Sequence, residues 1–281
     1  MNDIKVNNYA AAFIDILGQR EELKGCGLLP DNKDEVISIV KRTVGVISRL
    51  HTQFEEFYGA LTRQATGLQI PEERRQEFVN LQATSLKFQR FSDGLVVYIS
   101  LAQDAEHSPI NGVYGLIAAS GSLCLLGLAQ KTPLRAGFDI AWGVELNESE
   151  LYGCVVARSY ELESSIAKSP RVVLGVEVMQ YLEANSQVPG DGVNEEYGRQ
   201  MASVCREMIT QDEDGQYIVD YLGAGFRKHI AKTIGNSIYN DALNYIEEQI
   251  NHWTGVGNEE LTQRYISLKK YFEKNRSIWQ K

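Results

Sequence analysis

The chain has 281 residues, of which 43% are hydrophobic and 23% charged, with 24 Gly and 6 Pro. This is the composition of a globular protein, and it excludes a disordered, collagen-like or low-complexity chain. The formal net charge of −9 argues against indiscriminate binding to nucleic acid or to an anionic membrane, because both depend on clustered cations.

The cysteine pattern and the apolar segments indicate the compartment. No cysteine belongs to a Cys-x-x-Cys pair or lies at zinc spacing from a histidine, which predicts reduced, buried thiols: Cys26, Cys124, Cys154 and Cys205. The N-terminus lacks a signal-peptide pattern. Gly, Ser and Asn interrupt the longest apolar segment, 110–129, which predicts a core helix instead of a membrane span. We therefore expect a soluble, cytoplasmic protein without a nucleic-acid or membrane partner.

The first hundred residues alternate between strand and helix patterns. An almost continuous apolar run predicts a buried strand over 8–17. Apolar spacings of three and four predict one long helix from the Asp31/Asp34 region to Phe57, followed by a polar connector or short helix over 62–77. Alternation then predicts a hairpin over 84–100, with its turn at Ser92-Asp93-Gly94.

The rest of the chain mixes helices with short strands. The patterns predict the core helix, then strand 134–144, helix 153–168, strand 171–174, helix 195–209, strand 217–222 and two C-terminal helices separated at 255–257. This order predicts an α+β fold, with an antiparallel sheet and packed helices, and not a doubly wound sheet. We expect one domain over 1–225, with a helical insertion around 62–80, and a helical extension over 226–281.

Two aspartates each lie where a β element meets a turn. Asp15 lies near the end of the first apolar strand, and Asp93 lies at the hairpin tip. If both reach one sheet edge, their carboxylates can hold two divalent ions that bind triphosphate oxygens and acidify a hydroxyl. The alternatives are structural: Asp-Gly is a favoured turn dipeptide, and Asp15 can pair with Arg20.

Four segments carry a resemblance to a known family. Phe13-Ile-Asp15-Ile16-Leu-Gly18 resembles the first metal-binding motif of class III nucleotide cyclases, and Phe91-Ser-Asp93-Gly94 resembles the second. The strand Leu134-Arg135-Ala-Gly137 to Gly143 is similar to the family's Arg-x-Gly-Ile-x-x-Gly strand, and 152–164 lies where the family has its Val-Asn-x-Ala-x-Arg-Leu-Glu helix. The wording Ala-Arg-Ser-Tyr-Glu-Leu-Glu is similar to the bacterial anti-phage pyrimidine cyclases of Pycsar systems. The resemblance covers roughly residues 9–225.

The resemblance implies a ferredoxin-like, palm-type cyclase fold that forms a homodimer with composite active sites. It implies that Asp15, Asp93 and the carbonyl of Ile16 ligate two Mn²⁺ or Mg²⁺ ions, with the amides up to Gly18 near the phosphates and Phe13 in the substrate site. The 3′-hydroxyl of a nucleoside triphosphate would attack its own α-phosphorus and expel pyrophosphate.

The chain departs from the family at the base-reading and transition-state positions. Leu151 replaces the acid that reads the adenine amino group, and Ala157 and Glu161 replace the Asn and Arg of the helix. A cation must then come from elsewhere, and we expect Arg90 as a catalytic and substrate-binding residue or Arg158 as a substrate-binding residue. Tyr160 is expected to stack on the base across the dimer interface, whereas its helical spacing alone is more typical of an ordinary half-buried aromatic.

The loss of the purine-reading acid, together with the resemblance to the pyrimidine cyclases, favours a pyrimidine base, with UTP before CTP. It predicts a uridylate cyclase that makes cyclic UMP. The resemblance further implies an anti-phage second messenger and a separate effector that responds to the cyclic nucleotide. Two alternatives remain open: a cytidylate or purine cyclase of the same mechanism, and a catalytically degenerate domain that serves as a dimerisation or regulatory module.

Overall fold

The computed structural model describes residues 6–63, 72–91, 93–102, 108–147, 150–230 and 234–280. The first elements are β1 (Val6–Ile16), α1 (Gln19–Gly25), α2 (Lys33–Arg42), α3 (Val44–Arg63), a 3₁₀ turn (Glu72–Arg74), α4 (Arg75–Leu81), β2 (Lys87–Arg90) and β3 (Gly94–Ser100). Next come α5 (Pro109–Ala129), β4 (Leu134–Asn147), β5 (Glu150–Tyr152), α6 (Cys154–Glu161) and a π-helical segment (Leu162–Ile166). The last elements are β6 (Val172–Leu174), α7 (Val176–Ser186), α8 (Val193–Glu207), β7 (Ile209–Gln211), β8 (Tyr217–Val219), α9 (Ala224–Ile230), α10 (Ser237–Val256) and α11 (Glu259–Trp279).

One eight-stranded sheet organises the fold. The strand order is β2-β3-β1-β4-β6-β8-β7, and β5 pairs with β4 outside this path. With helices packed on both faces, the predicted α+β class is confirmed. The sheet is antiparallel, as expected, except at one pair, because β4 and β6 run parallel. The chain returns from β4 to β6 through α6 and the π-helical segment, and such a crossover allows a parallel pair.

β1 is the central strand, and its register with β3 and β4 determines which residues lie beside its C-terminal end. It pairs antiparallel with β3 and β4, so that Asp15 lies opposite Gly94 on one side and Arg135 on the other. Ala10, Ala12 and Ile14 face the main helical core, whereas Ala11 and Phe13 face the second core. Burial on both faces explains why the strand is almost continuously apolar.

The main core lies between the sheet and a layer that contains α3, α5 and α10. Within the described residues, α5 is the one helix whose length and composition would suit a membrane span, and 89% of that stretch is buried inside the protein. This burial matches the expected core helix.

The helical regions differ from the prediction in several places. The long helix expected up to Phe57 is two helices, α2 and α3, because the backbone breaks at Thr43 (φ −110°, ψ −85°). Asn32 caps α2, and its side chain accepts a hydrogen bond from the Asp34 amide at 2.8 Å. The helices α1 and α7 were not predicted. Residues 64–71 of the predicted connector and insertion lie outside the described residues.

In its described residues the C-terminal extension includes most of α9 together with α10 and α11, where two helices were predicted, and it shares the main core. Phe272 and Trp279 are buried in that core. The Trp279 indole N–H donates to the Leu222 carbonyl at 2.9 Å, and the Tyr271 hydroxyl donates to Asp220 at 2.7 Å. The predicted boundary between residues 225 and 226 therefore falls within one continuous hydrophobic core.

Candidate active site

A cleft of about 1550 Å³ opens on the face of the sheet that carries α6. It is bounded by the end of β1, by α1, by the β2–β3 hairpin and by β4, β5 and α6. The polar and charged side chains that line it are Asp15, Arg20, Glu21, Lys24, Gln89, Asp93, Arg135, Glu163 and Ser164.

The two predicted aspartates line this same cleft. Asp15 ends β1 and Asp93 directly precedes β3, and these strands are hydrogen-bonded neighbours. The Ile16 amide donates to the Asp93 carbonyl at 3.5 Å. Gly94 permits this approach, since a Cβ there would lie only 2.9 Å from the Ile14 carbonyl oxygen. The structure therefore brings together two carboxylates that are far apart in the sequence.

The charges of the two aspartates interact. Burial raises the pKa of the Asp15 carboxyl, Arg135 acts in the opposite direction, and the Asp93 carboxylate raises the pKa of Asp15 further. Like charges that meet in a partly buried cleft disfavour ionisation, and a bound cation would relieve that cost.

Arg135 and Glu163 complete a charged cluster that the sequence analysis did not assign. Arg135 Nε and Nη2 both lie 3.2 Å from Asp15 Oδ2, and Nε lies 2.5 Å from Glu163 Oε1. Glu163 is 2% exposed. Burial raises its pKa from 4.5 to about 7, with Arg135 opposing this and Asp15 adding to it. Asp15 thus pairs with Arg135 and not with Arg20, the partner considered from sequence.

The π-helical segment positions Glu163. It continues α6 with one wider turn, and such turns are frequent at functional sites. Gly137 on β4 lets this turn approach the sheet, because a Cβ at Gly137 would lie 2.2 Å from the Ser159 carbonyl oxygen and 2.5 Å from the Glu163 amide. The Ser159 hydroxyl also donates to the Ala11 carbonyl at 2.9 Å. Only the tertiary contact reveals Glu163; a helical period does not single it out.

Three aromatic rings line the cleft beside the carboxylates. The Phe13 ring centroid lies 5.4 Å from that of Phe91 and 5.1 Å from that of Tyr160, the second pair edge to face. Tyr160 is 51% exposed. Phe13 and Tyr160, both predicted substrate-binding residues, are thus in mutual contact and present aromatic surface to the cleft.

The side chain of Gln89 is fixed at the edge of the cleft. Its Oε1 accepts a hydrogen bond from the Leu151 amide at 3.0 Å, and both residues line the cleft. With the carbonyl oxygen held in this way, the amide NH₂ group is the part of Gln89 that can donate to a ligand. The sequence analysis missed Gln89, although its alternation with Arg90 along β2 was a usable signal.

Two predicted cations lie outside the cleft. Arg90 pairs in register with Leu95, which belongs to the main core, and its charge acts on His51 of α3. Side chains alternate along a strand, so Gln89 and Phe91 face the cleft whereas Arg90 faces the helical layer.

Arg158 is held in ion pairs with two carboxylates. Its Nε lies 2.7 Å from Asp139 Oδ2, and its Nη2 pairs with Glu177 at the start of α7. These two pairs tie α6 to β4 and α7. The expectation that Arg90 or Arg158 supplies a cation to this site is therefore corrected: the described cations that line the cleft are Arg20, Lys24 and Arg135.

The donor set is suited to hard divalent cations. Within the described residues, no group of three or more His, Cys, Asp or Glu side chains is arranged to hold a metal ion. Asp15 and Asp93 offer two carboxylates, and the carbonyl of Ile16 belongs to a residue that also lines the cleft. Mg²⁺ is commonly held by one or two carboxylates, with substrate phosphates and waters as its remaining ligands. The residues therefore fit a cation that binds together with a phosphate-bearing substrate.

Comparison with known proteins gives weak likenesses. No protein-family model and no curated protein matches the sequence. The chain is similar to a bacterial light-regulated adenylyl cyclase with 14% identity and a TM-score of 0.39, over 82% of this chain and 100% of that one. It is also similar to the catalytic core of a rhodopsin-guanylyl cyclase with converted specificity, with 12% identity and a TM-score of 0.38. This match covers 77% of this chain and 98% of that one. Both sequence identities and both TM-scores lie below the levels that show a shared family.

Proposed function

We propose that the chain is a divalent-metal-dependent nucleotide cyclase that converts UTP to 3′,5′-cyclic UMP and pyrophosphate. The observation that carries the proposal is the presence of Asp15 and Asp93 in one cleft, with their charges close enough to interact. The motifs around these residues resemble the metal-binding motifs of class III cyclases, which supports the same activity.

The reaction is an intramolecular phosphoryl transfer. The O3′ atom forms a bond to the α-phosphorus, the bond from that phosphorus to the bridging oxygen breaks, the hydroxyl proton is released and pyrophosphate leaves. Divalent ions on Asp15 and Asp93 would neutralise phosphate charge and lower the pKa of the attacking hydroxyl. The protein's own contribution is to hold the reacting atoms in line in a charged, partly closed site.

The charge balance of the cleft supports the need for added cations. Four carboxylates and three basic side chains of the described residues line it. A triphosphate adds several negative charges, which this set cannot offset. Arg135 is the basic residue nearest to Asp15 in this set, and we assign it to the phosphates in place of Arg90 and Arg158.

The edge of the cleft near Gln89 and Leu151 supports a uracil base. Leu151 offers no side-chain acceptor for an exocyclic amino group. Gln89 can donate its NH₂ group, because its carbonyl oxygen already accepts from Leu151. Uracil presents carbonyl acceptors where cytosine presents an amino donor, so the matched hydrogen bond favours UTP over CTP. The rings of Phe13 and Tyr160 offer a surface against which the base can pack.

The proposal includes a cytoplasmic homodimer. Exposed aromatic side chains, Trp142 and Tyr152, line the open side of the cleft, where a second copy would complete the site. A role in anti-phage defence, with a separate effector that binds the cyclic nucleotide, rests on the Pycsar resemblance alone.

A product assay tests the function. The purified protein is incubated with each nucleoside triphosphate and Mn²⁺, and products are identified by mass. We expect cyclic UMP from UTP as the main product. Cyclic CMP or a cyclic purine nucleotide as the product would overturn the argument from Gln89 and Leu151 for the base. It would still support the cyclisation reaction.

A second candidate function has a specific observation in its favour. Ala157 and Glu161 stand at the family's transition-state positions, and neither Arg90 nor Arg158 lines the cleft. A degenerate domain that serves dimerisation or regulation would share these features. If no triphosphate yields a cyclic product, the result supports the regulatory module and contradicts the proposed cyclase.

The first prediction concerns Asp93. Its replacement in Asp93→Ala should lower cyclic-nucleotide formation at least about 100-fold, because loss of a metal ligand removes several kcal/mol of transition-state stabilisation. Asp241→Ala, at an exposed position on α10, is the control and should retain full activity. Undiminished activity of a folded Asp93→Ala protein would remove Asp93 from the metal site.

A further inference from the structure

One guanidinium is shared between two carboxylates in the cleft. Arg135 Nε lies 3.2 Å from Asp15 Oδ2 and 2.5 Å from Glu163 Oε1, and Nη2 lies 3.2 Å from the same Asp15 oxygen. The Nε–H group donates its hydrogen bond to Asp15, whereas Glu163 Oε1 lies closer to Nε but accepts no hydrogen bond, so the guanidinium forms ion pairs with both acids. Arg135 is thus the side chain that competes directly with a divalent cation for the Asp15 carboxylate.

Glu163 is a buried acid that interacts with both Arg135 and the Asp15 side chain. A carboxyl group that is 2% exposed is costly unless it is paired, and Arg135 is its recorded ion-pair partner within the described chain. Asp15 alone would already pair with Arg135. When both acids are ionised, the cluster carries more negative than positive charge, and the Asp93 carboxylate adds to this excess.

We propose that Glu163 is a positioning residue that holds Arg135 back from Asp15 and so keeps the Asp15 carboxylate available to a divalent cation. The inference rests on the proposed function, because the cation site belongs to it. With a cation on Asp15, Arg135 is repelled, and Glu163 offers the guanidinium a second carboxylate at a distance it already occupies. Without Glu163, Arg135 pairs with Asp15 alone and blocks the cation.

Mn²⁺ binding without nucleotide tests the proposal. Isothermal titration calorimetry with MnCl₂ compares wild type, Glu163→Gln, Arg135→Gln and the double variant. We expect Glu163→Gln to weaken Mn²⁺ binding about tenfold or more, the size typical for groups that orient metal ligands. Arg135→Gln should bind Mn²⁺ at least as tightly as wild type, and the double variant should recover to within about threefold of wild type.

Glu161→Gln is the matched control, since Glu161 is exposed and lies on the same helix two residues earlier. It should bind Mn²⁺ as wild type does. Circular dichroism and thermal unfolding check that each variant folds. If Glu163→Gln does not fold, Arg135→Gln alone decides, because tighter or equal binding supports the proposal and weaker binding overturns it.

Recovery in the double variant is the result that a merely structural role for Glu163 would not produce. Mn²⁺ binding by Glu163→Gln equal to wild type, or a double variant no better than Glu163→Gln, would overturn the proposal. If wild type binds no Mn²⁺, this inference and the metal site both fail. If the expected binding pattern holds but no cyclic product forms, only the proposed reaction fails.

Discussion

At the scale of the residue, the face of the sheet on which a side chain lies decides whether it reaches the cleft. Arg90 and Gln89 are neighbours on β2, yet only Gln89 lines the cleft. The register with β3 fixes this, since Leu95 opposite Arg90 belongs to the main core. A one-residue step along a strand changes the face, so the two neighbours lie on opposite faces of the sheet.

Gln89 provides a prediction about base selection. In Gln89→Glu, one carboxylate oxygen can still accept from the Leu151 amide, and the other becomes an acceptor that suits the amino group of cytosine. The ratio of CTP to UTP turnover, measured as kcat/KM, should rise about tenfold or more. Gln211→Glu, exposed on β7, should leave the ratio unchanged. An unchanged ratio in Gln89→Glu would exclude Gln89 from base recognition.

Glu163 provides a prediction about pH. Burial raises the pKa of the Glu163 carboxyl from 4.5 to about 7, so its protonated form favours the folded state. This contribution is complete below pH 4.5 and is lost as the pH rises through about 7. Between pH 5 and pH 8, metal-free wild type should therefore lose about 1 to 3 kcal/mol of unfolding free energy relative to Glu163→Gln.

Urea unfolding in the presence of a chelator measures this difference at both pH values. The comparison with Glu163→Gln cancels the titration of groups outside the Asp15, Arg135 and Glu163 cluster. Parallel stability profiles for the two proteins would show that Glu163 ionises normally in the folded state.

At the scale of the element, the contact between α6 and the sheet positions the cluster. The π-helical segment lies against β4 at Gly137, where the Ser159 carbonyl and the Glu163 amide leave no room for a Cβ. The Ser159 hydroxyl, which donates to the Ala11 carbonyl, links the same helix to β1. The wide turn thus brings Glu163 to Arg135 only because the strand has glycine at this position.

Gly137→Ala tests this contact. The added methyl group must displace the π-helical segment, and such overpacking typically costs about 1 to 3 kcal/mol of unfolding free energy. Chemical denaturation measures the loss. Gly25→Ala is the control, because nothing lies within 4 Å of a Cβ there. Equal stability of Gly137→Ala and wild type would show that the helix can move from the strand at no cost.

At the scale of the whole molecule, the C-terminal helices are part of the main core. The Tyr239 ring contacts the rings of Phe272 and Trp279, and the Arg227 guanidinium carbon lies 4.3 Å from the centre of the Trp279 ring. Trp279 also closes a hydrogen bond to Leu222, which precedes the predicted boundary. The part of the chain before the predicted boundary and the extension are therefore packed as one unit.

Truncation tests this unity. A chain that ends at residue 258 loses α11 and exposes the buried surface that Phe272 and Trp279 cover, and removal of one such aromatic alone costs about 3 to 5 kcal/mol. We expect an unfolded or insoluble protein, measured by circular dichroism and size-exclusion chromatography. A chain that ends at residue 279 keeps Trp279 and should fold normally. A stable, folded 1–258 protein would show that the extension is a separate unit.

The sequence by itself determined the elements with strong local patterns. The apolar run of β1, the Asp-Gly turn of the hairpin and the interrupted apolar helix α5 are all close to their predicted positions. The break at Thr43 between α2 and α3 was not predictable, because the apolar spacing continues through it. The parallel pairing of β4 with β6 depends on where the crossover packs, which is not a local property.

The sequence also singled out Asp15 and Asp93. Asp15 is an acid near the end of an apolar strand, which is unusual, and Asp93 lies at the tip of a predicted hairpin. Only the tertiary structure decided that both line one cleft, that Arg135 and Glu163 join them, and that Arg90 and Arg158 do not. The physical reason is that motifs and periodicity describe residues near one another in sequence. The charge cluster arises from strand register and from the approach of a helix to a sheet, which bring distant residues into contact.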